Sequence, residues 1–93
     1  MAENNRKAYI ITVYGKVQGV GFRFYTNKKA LELNICGYVE NKPDGTVYIE
    51  AEGNKVDIET FISWCELGPQ WARVSRINKQ EVPPINYSDF KIK

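Results

Sequence analysis

Nine consecutive residues carry the most specific chemistry in the chain: Gly15-Lys16-Val17-Gln18-Gly19-Val20-Gly21-Phe22-Arg23. Their three glycines let the backbone bend through positive φ. Successive N–H groups from about Gln18 to Phe22 can then turn into one concavity, a nest suited to an anion. The segment follows a strand-like run and opens a helix-like one. A helix start adds unpaired N–H groups and the positive end of the helix dipole. Arg23 falls in that first turn, where a cation opposes the dipole. A ligand therefore explains Arg23 better than helix stability does, and its planar fork matches two phosphate oxygens at once.

The familiar phosphate loops do not fit. A Walker A loop requires Gly-x4-Gly-Lys-Ser/Thr, and the residue five after Gly15 is Val20. A dinucleotide fingerprint built on Gly19 and Gly21 would need glycine where Phe24 stands. A cysteine phosphatase loop would place its thiolate at Val17. Between Gly15 and Arg23 there is no Ser, Thr, Cys, His, Asp or Glu. The loop can hold a phosphate but supplies no side-chain nucleophile and no carboxylate for a metal. Histidine is absent from the whole chain, which removes the commonest general base and metal ligand.

These residues need elements to position them. Tyr9, Ile11 and Val13 alternate with Ile10, Thr12 and Tyr14, a strand that ends at the glycine loop. Phe22, Thr26, Ala30 and Leu33 recur at helical spacing, predicting a helix from Phe22 to about Asn34. Residues 35–40 and 46–52 read as a hairpin about an Asn41-Lys42-Pro43-Asp44-Gly45 turn. In its second strand Val47, Ile49 and Ala51 face one way and Tyr48, Glu50 and Glu52 the other. Asn54 is a candidate N-cap, with Asp57 completing a partial capping box. Ile58, Phe61, Ile62 and Cys65 then mark a second helix, which Gly68-Pro69 stops. Residues 72–77 form a fourth strand, Pro83-Pro84 interrupts regular pairing, and Phe90 and Ile92 mark a short terminal strand. The order βαββαβ plus a last strand predicts an α+β, ferredoxin-like split βαβ fold: an antiparallel sheet with both helices on one face. Trp64 and Trp71 are expected in or at the edge of the core, and Tyr38 and Tyr48 on an open sheet face.

Ninety-three residues suit one domain, with residues 1–6 as a flexible tail. An apolar fraction of 43% and a charged fraction of 26% are those of an ordinary globular protein. A net charge of +2 is too weak to argue for nucleic acid or membrane. The polar start, Met1 to Ala8, lacks an apolar leader segment, so a cytoplasmic location is expected. Cys36 and Cys65 are too few for a disulfide framework and read as small buried apolar residues, a single bridge being the other reading.

The glycine loop resembles the first signature of the acylphosphatase family. Gly37-Tyr38-Val39-Glu40-Asn41 followed by Pro43-Asp44-Gly45-Thr46-Val47 resembles the second. Glu52-Gly53 and Gly68-Pro69 with Ala72-Arg73-Val74 extend the likeness over about residues 7–93. The resemblance implies an enzyme that hydrolyses acyl phosphates without metal or cofactor. Arg23 and Asn41 would be its catalytic side chains, and the amides of Gln18, Gly19, Val20, Gly21 and Phe22 would bind phosphate with Arg23. It implies an acyl phosphate as substrate and inorganic phosphate as product and inhibitor, with no nucleic acid or membrane partner and a monomeric state. Two departures stand out: Glu40 replaces a frequently basic residue and should weaken the local attraction for anions, and Gln70-Trp71 replaces a smaller, proline-containing stretch.

The chemistry agrees with so sparse a site. The departing carboxylate has a pKa near that of a free Asp or Glu, about 4, and leaves without a proton. Phosphoryl transfer is then mostly positioning and charge stabilisation. A carboxamide such as Asn41 is a weak base and would orient water through hydrogen bonds. The competing readings are a single-stranded RNA binder, or a non-catalytic interaction module, on the same scaffold. The third strand, Thr46-Val47-Tyr48-Ile49-Glu50-Ala51-Glu52, lacks the RNP1 pattern, and its glutamates would repel a phosphate backbone.

Overall fold

A computed structural model describes residues 5–93. Strand β1 (Arg6–Lys16) runs into the loop that starts helix α1 (Phe22–Glu32). Strands β2 (Cys36–Asn41) and β3 (Val47–Asn54) form the expected hairpin. Helix α2 (Lys55–Leu67), strand β4 (Arg73–Val82) and strand β5 (Phe90–Ile92) complete the chain. β1 opens at Arg6, inside the stretch read as a flexible tail; residues 1–4 of that tail lie outside the described residues.

The sheet order is β4-β1-β3-β2-β5. β1 lies antiparallel between β3 and β4, and β2 antiparallel beside β3. One detail corrects the expectation: β5 pairs with β2 in parallel, so the sheet is mixed rather than wholly antiparallel. Three residues suffice there because Gly37 N–H also donates to Asp89 O at 2.8 Å and Lys93 N–H to Val39 O at 2.8 Å. The register of β1 against β4 slips between Tyr14 and Gly15, a bulge of the kind that bends a strand end beside a site.

Alternation decides which face is covered. Ile11 and Val13 of β1, Val39 of β2, and Val47, Ile49 and Ala51 of β3 form one buried cluster. Phe22 and Ala30 of α1 and Ile58, Phe61, Ile62 and Cys65 of α2 join it, so both helices cover that face. Asn34, at φ 57, ends α1 in the left-handed conformation, and Ile35 N–H donates back to Ala30 O at 2.8 Å. Asn54 occupies the N-cap of α2, but its side chain makes no capping bond, so the proposed capping box does not form. Both cysteines are free thiols, Cys65 buried and Cys36 half-buried; burial pushes the Cys65 thiol far up.

The other face departs further from the sequence reading. Residues 85–87 fold over part of it, and Ile10, Thr12, Tyr38 and Tyr48 stay half-exposed. Glu52, expected to be solvent-facing, is fully buried. Its carboxylate accepts the N–H groups of Ile85 (2.9 Å) and Asn86 (3.0 Å) and pairs with Arg6 at 3.2 Å. Burial pushes the Glu52 carboxyl up, but these donors outweigh it and hold the acid below the ordinary carboxylate range. Nearby, Glu50 accepts the hydroxyls of Tyr48 (2.6 Å), Tyr38 (3.0 Å) and Tyr87. Burial and the Glu50 charge push Tyr38 up to about 12. Trp64 packs against Phe22 with ring centroids 5.7 Å apart, as a core-edge residue should. Trp71 does not: it is 67% exposed, because the turn after Gly68-Pro69 carries it off the helix layer.

Candidate active site

The glycine loop bends as its sequence requires. Gly19 and Gly21 sit at φ 74 and 80, a region that side chains with a Cβ rarely enter. Gly21 is the N-cap of α1. It has no side chain to cap the helix, and no acidic residue follows in the first turn. The first-turn N–H groups therefore have no side-chain cap from the protein. Thr26 and Tyr25 anchor this turn: Thr26 Oγ1 donates to Phe22 O at 2.7 Å and Tyr25 N–H to Gly21 O at 3.1 Å.

The loop is tied to the β2–β3 turn by a contact that spacing alone does not reveal. Gln18 Nε2 donates to Lys42 O at 2.8 Å and to Thr46 O at 2.9 Å. The turn itself is closed by Asp44, whose Oδ1 accepts Thr46 N–H (3.0 Å) and Thr46 Oγ1 (2.7 Å). These bonds bring the end of β2, where Asn41 stands, to the mouth of the loop. β1 and β2 are not neighbours, since β3 lies between them. It is the Gln18 bridge across the end of β3 that closes the gap.

The resulting cavity holds about 270 Å³ and is lined by Val17, Gly19, Gly21, Phe22, Arg23, Phe24, Asn41 and Ile92. Five residues expected at the site thus line one concavity: Gly19, Gly21, Phe22, Arg23 and Asn41. Gln18 and Val20 are not lining residues. The Gln18 side chain is committed to the turn, and Val20 packs against the core. Arg23 is the one charged lining residue. Its Nη1 donates to Lys93 O at 2.8 Å, which steadies the guanidinium and leaves its other N–H groups for a ligand. The half-buried Asn41 carboxamide makes no hydrogen bond to the described residues, so both its donor and acceptor are available to the cavity.

Glu40 pairs with Lys42 at 2.7 Å, so its charge is locally compensated and costs the site less than its sequence position implies. Residues that the sequence reading did not place at the site are Val17, Phe24 and Ile92 on the cavity wall, the Gln18 side chain, and Lys93. Phe24 could have been noticed as an apolar residue beside Arg23 but off the buried helix stripe. Ile92 and Lys93 had no local signal, because only sheet order brings β5 to the loop.

Comparison with known proteins agrees with this geometry. The family model for Acylphosphatase matches residues 9–92. An acylphosphatase of Aliivibrio fischeri is 43% identical over 88 residues, covering 95% of this chain and 98% of that protein. The solved acylphosphatase of Coxiella burnetii superposes with a TM-score of 0.92 at 40% identity, over 96% of this chain and 94% of that one. That of Bacillus subtilis gives 0.91 at 33% identity, over 94% and 98%. A family model over residues 9–92, and relatives and folds that match along nearly the whole length, place the chain in the acylphosphatase family.

Proposed function

We propose that this protein hydrolyses the carboxyl–phosphate bond of acyl phosphates, giving a carboxylate and inorganic phosphate. The observation that carries the reading is one concavity shared by Arg23, Asn41 and the glycine loop, with no ionisable acid or base besides Arg23 on its wall. That poverty suits an acyl phosphate and few other phosphate esters. The leaving carboxylate, with a pKa of about 4, departs unprotonated, whereas an alkoxide would need an acid.

In this reading the amides from Gln18 to Phe22 and the Arg23 guanidinium hold the phosphoryl oxygens. They stabilise the charge that spreads over them in the transition state. Asn41 accepts a hydrogen bond from the attacking water and aims it along the line of the breaking bond. Because the carboxamide takes no proton, the water's proton passes to the phosphate product or to solvent. The step as drawn uses no metal, because Arg23 and the amides meet the charge on the phosphoryl oxygens. The reading takes the enzyme as a monomer in the cytoplasm. No helix among the described residues is long and apolar enough to cross a membrane.

RNA binding is disfavoured on a specific observation. The faces of Tyr38 and Tyr48, which a base would stack on, are engaged by Lys93 Nζ (3.9 Å) and Lys42 Nζ (4.6 Å), and both hydroxyls are bound to Glu50. The test follows the loss of benzoyl phosphate absorbance with chelator present. Rapid hydrolysis, inhibited competitively by inorganic phosphate, is the expected result. No turnover, together with tight binding of a single-stranded oligonucleotide, would overturn the reading.

A further inference from the structure

The phosphate cradle occupies only part of the cavity, and the rest of its wall has a chemical character of its own. With Arg23 and the loop amides engaged by the phosphoryl group and Asn41 by water, the remaining lining side chains are Val17, Phe22, Phe24 and Ile92. Val17 and Phe22 are fully buried and belong to the core. Phe24 and Ile92 do not: they are 58% and 45% exposed. They come from the first turn of α1 and from β5, so they converge on the cavity from separate elements. The Phe24 ring stands edge-on to Tyr25 at 5.1 Å and 83°, which limits its freedom without covering it. No lysine and no second arginine lines the cavity.

Resting on the acyl phosphate reading, we propose that Phe24 and Ile92 form the subsite for the acyl group and select substrates whose acyl portion is apolar or aromatic. The physical reasons are two. An aryl or alkyl acyl group would cover two exposed apolar side chains and leave water with it, a gain that a two-carbon acyl group is too small to collect. An acyl group carrying a carboxylate or a second phosphate would instead lose hydration against an apolar wall, with the one cation already engaged. Phe24 and Ile92 are therefore specificity residues, acting on the acyl end and not on the phosphoryl group.

The experiment compares kcat/KM for benzoyl phosphate, acetyl phosphate and an acyl phosphate bearing a second phosphate on its acyl group. It is run on the wild-type protein, Phe24→Ala, Phe24→Lys and Ile92→Ala, with the inhibition constant of inorganic phosphate measured for each. The wild type should favour benzoyl over acetyl phosphate by about tenfold or more, mainly through KM. Phe24→Ala should cut that ratio by roughly fivefold, the scale of one aromatic contact, and leave inhibition by inorganic phosphate within about twofold. Phe24→Lys, which puts a cation on the cavity wall, should raise kcat/KM for the doubly phosphorylated substrate. Equal wild-type preference for benzoyl and acetyl phosphate, or a Phe24→Ala loss that is the same for all three substrates, would overturn the subsite while leaving hydrolysis intact. Absence of hydrolysis of every acyl phosphate by the wild type would instead overturn the underlying reading, and the subsite with it.

Discussion

Replacing Asn41 by alanine should separate water positioning from phosphate binding. The structure sets the size of both effects. The Asn41 carboxamide bonds to no described residue, so its removal breaks no contact that holds the fold. Its backbone keeps its place opposite Val47 at the end of the β2–β3 pair. The stability change should stay within the strand-propensity scale, about 1 kcal/mol, or roughly 4–8 °C in Tm for a domain of this size. The loss in kcat should be far larger. Deleting one preorganised hydrogen-bonding group that acts in the transition state typically costs about 100- to 1,000-fold, or about 2.7–4 kcal/mol. With inorganic phosphate held by Arg23 and the loop, as proposed, its inhibition constant should move by less than about threefold. The assay is steady-state hydrolysis of benzoyl phosphate with phosphate inhibition and a thermal melt on the same preparation. Retention of kcat within about tenfold of wild type would refute the role given to Asn41. A loss of phosphate affinity as large as the loss of kcat would refute the division of labour between Asn41 and Arg23.

Arg23→Ala should do the opposite of Asn41→Ala at the binding step, weakening inorganic phosphate by at least about tenfold as well as slowing turnover. Its thermal midpoint should stay near the wild type, because its bond to Lys93 O is at the surface. Gln18→Glu keeps the side-chain size but cannot donate to Lys42 O and Thr46 O. With each bond worth about 1 kcal/mol net, it should cost about 2 kcal/mol of stability and reduce kcat/KM besides, read by denaturant unfolding and kinetics. Unchanged values of both would mean that the bridge does not order the loop. Glu52 is held below the ordinary carboxylate range, so its stabilisation is present at neutral pH and is lost as pH falls through its folded-state pKa. Denaturant unfolding should therefore show wild-type stability dropping below about pH 4. Glu52→Gln should be less stable at neutral pH by roughly 1.5–3 kcal/mol and show a flatter acid limb. An identical acid limb in the variant would mean that other carboxylates govern it.

The legible parts of this protein were the local ones. The bends of the glycine loop were readable because Gly19 and Gly21 are needed where the backbone enters positive φ, and that demand acts within a few residues. The place of Arg23 on the cavity wall was signalled by a cation in a first helical turn, where the dipole makes it locally unfavourable. The stripe of Phe22, Thr26 and Ala30, and the alternation of Val47, Ile49 and Ala51, marked the buried faces directly, since period sets side-chain direction. Other features depend on which distant segments meet, and no local propensity encodes that. The Gln18 bridge joins groups 24 and 28 residues apart. The parallel docking of β5 brings Ile92 to the cavity wall and Lys93 to Arg23. The segment over the second face buries Glu52, which alternation alone put in water. Trp71 went the other way, because an aromatic residue records only a preference for burial, and a turn can carry it outside. Residue types and spacing alone determined the bends of the glycine loop and the start of the helix that follows it. The order of strands decided what stands around it, because long-range pairing selects neighbours that short-range chemistry leaves open.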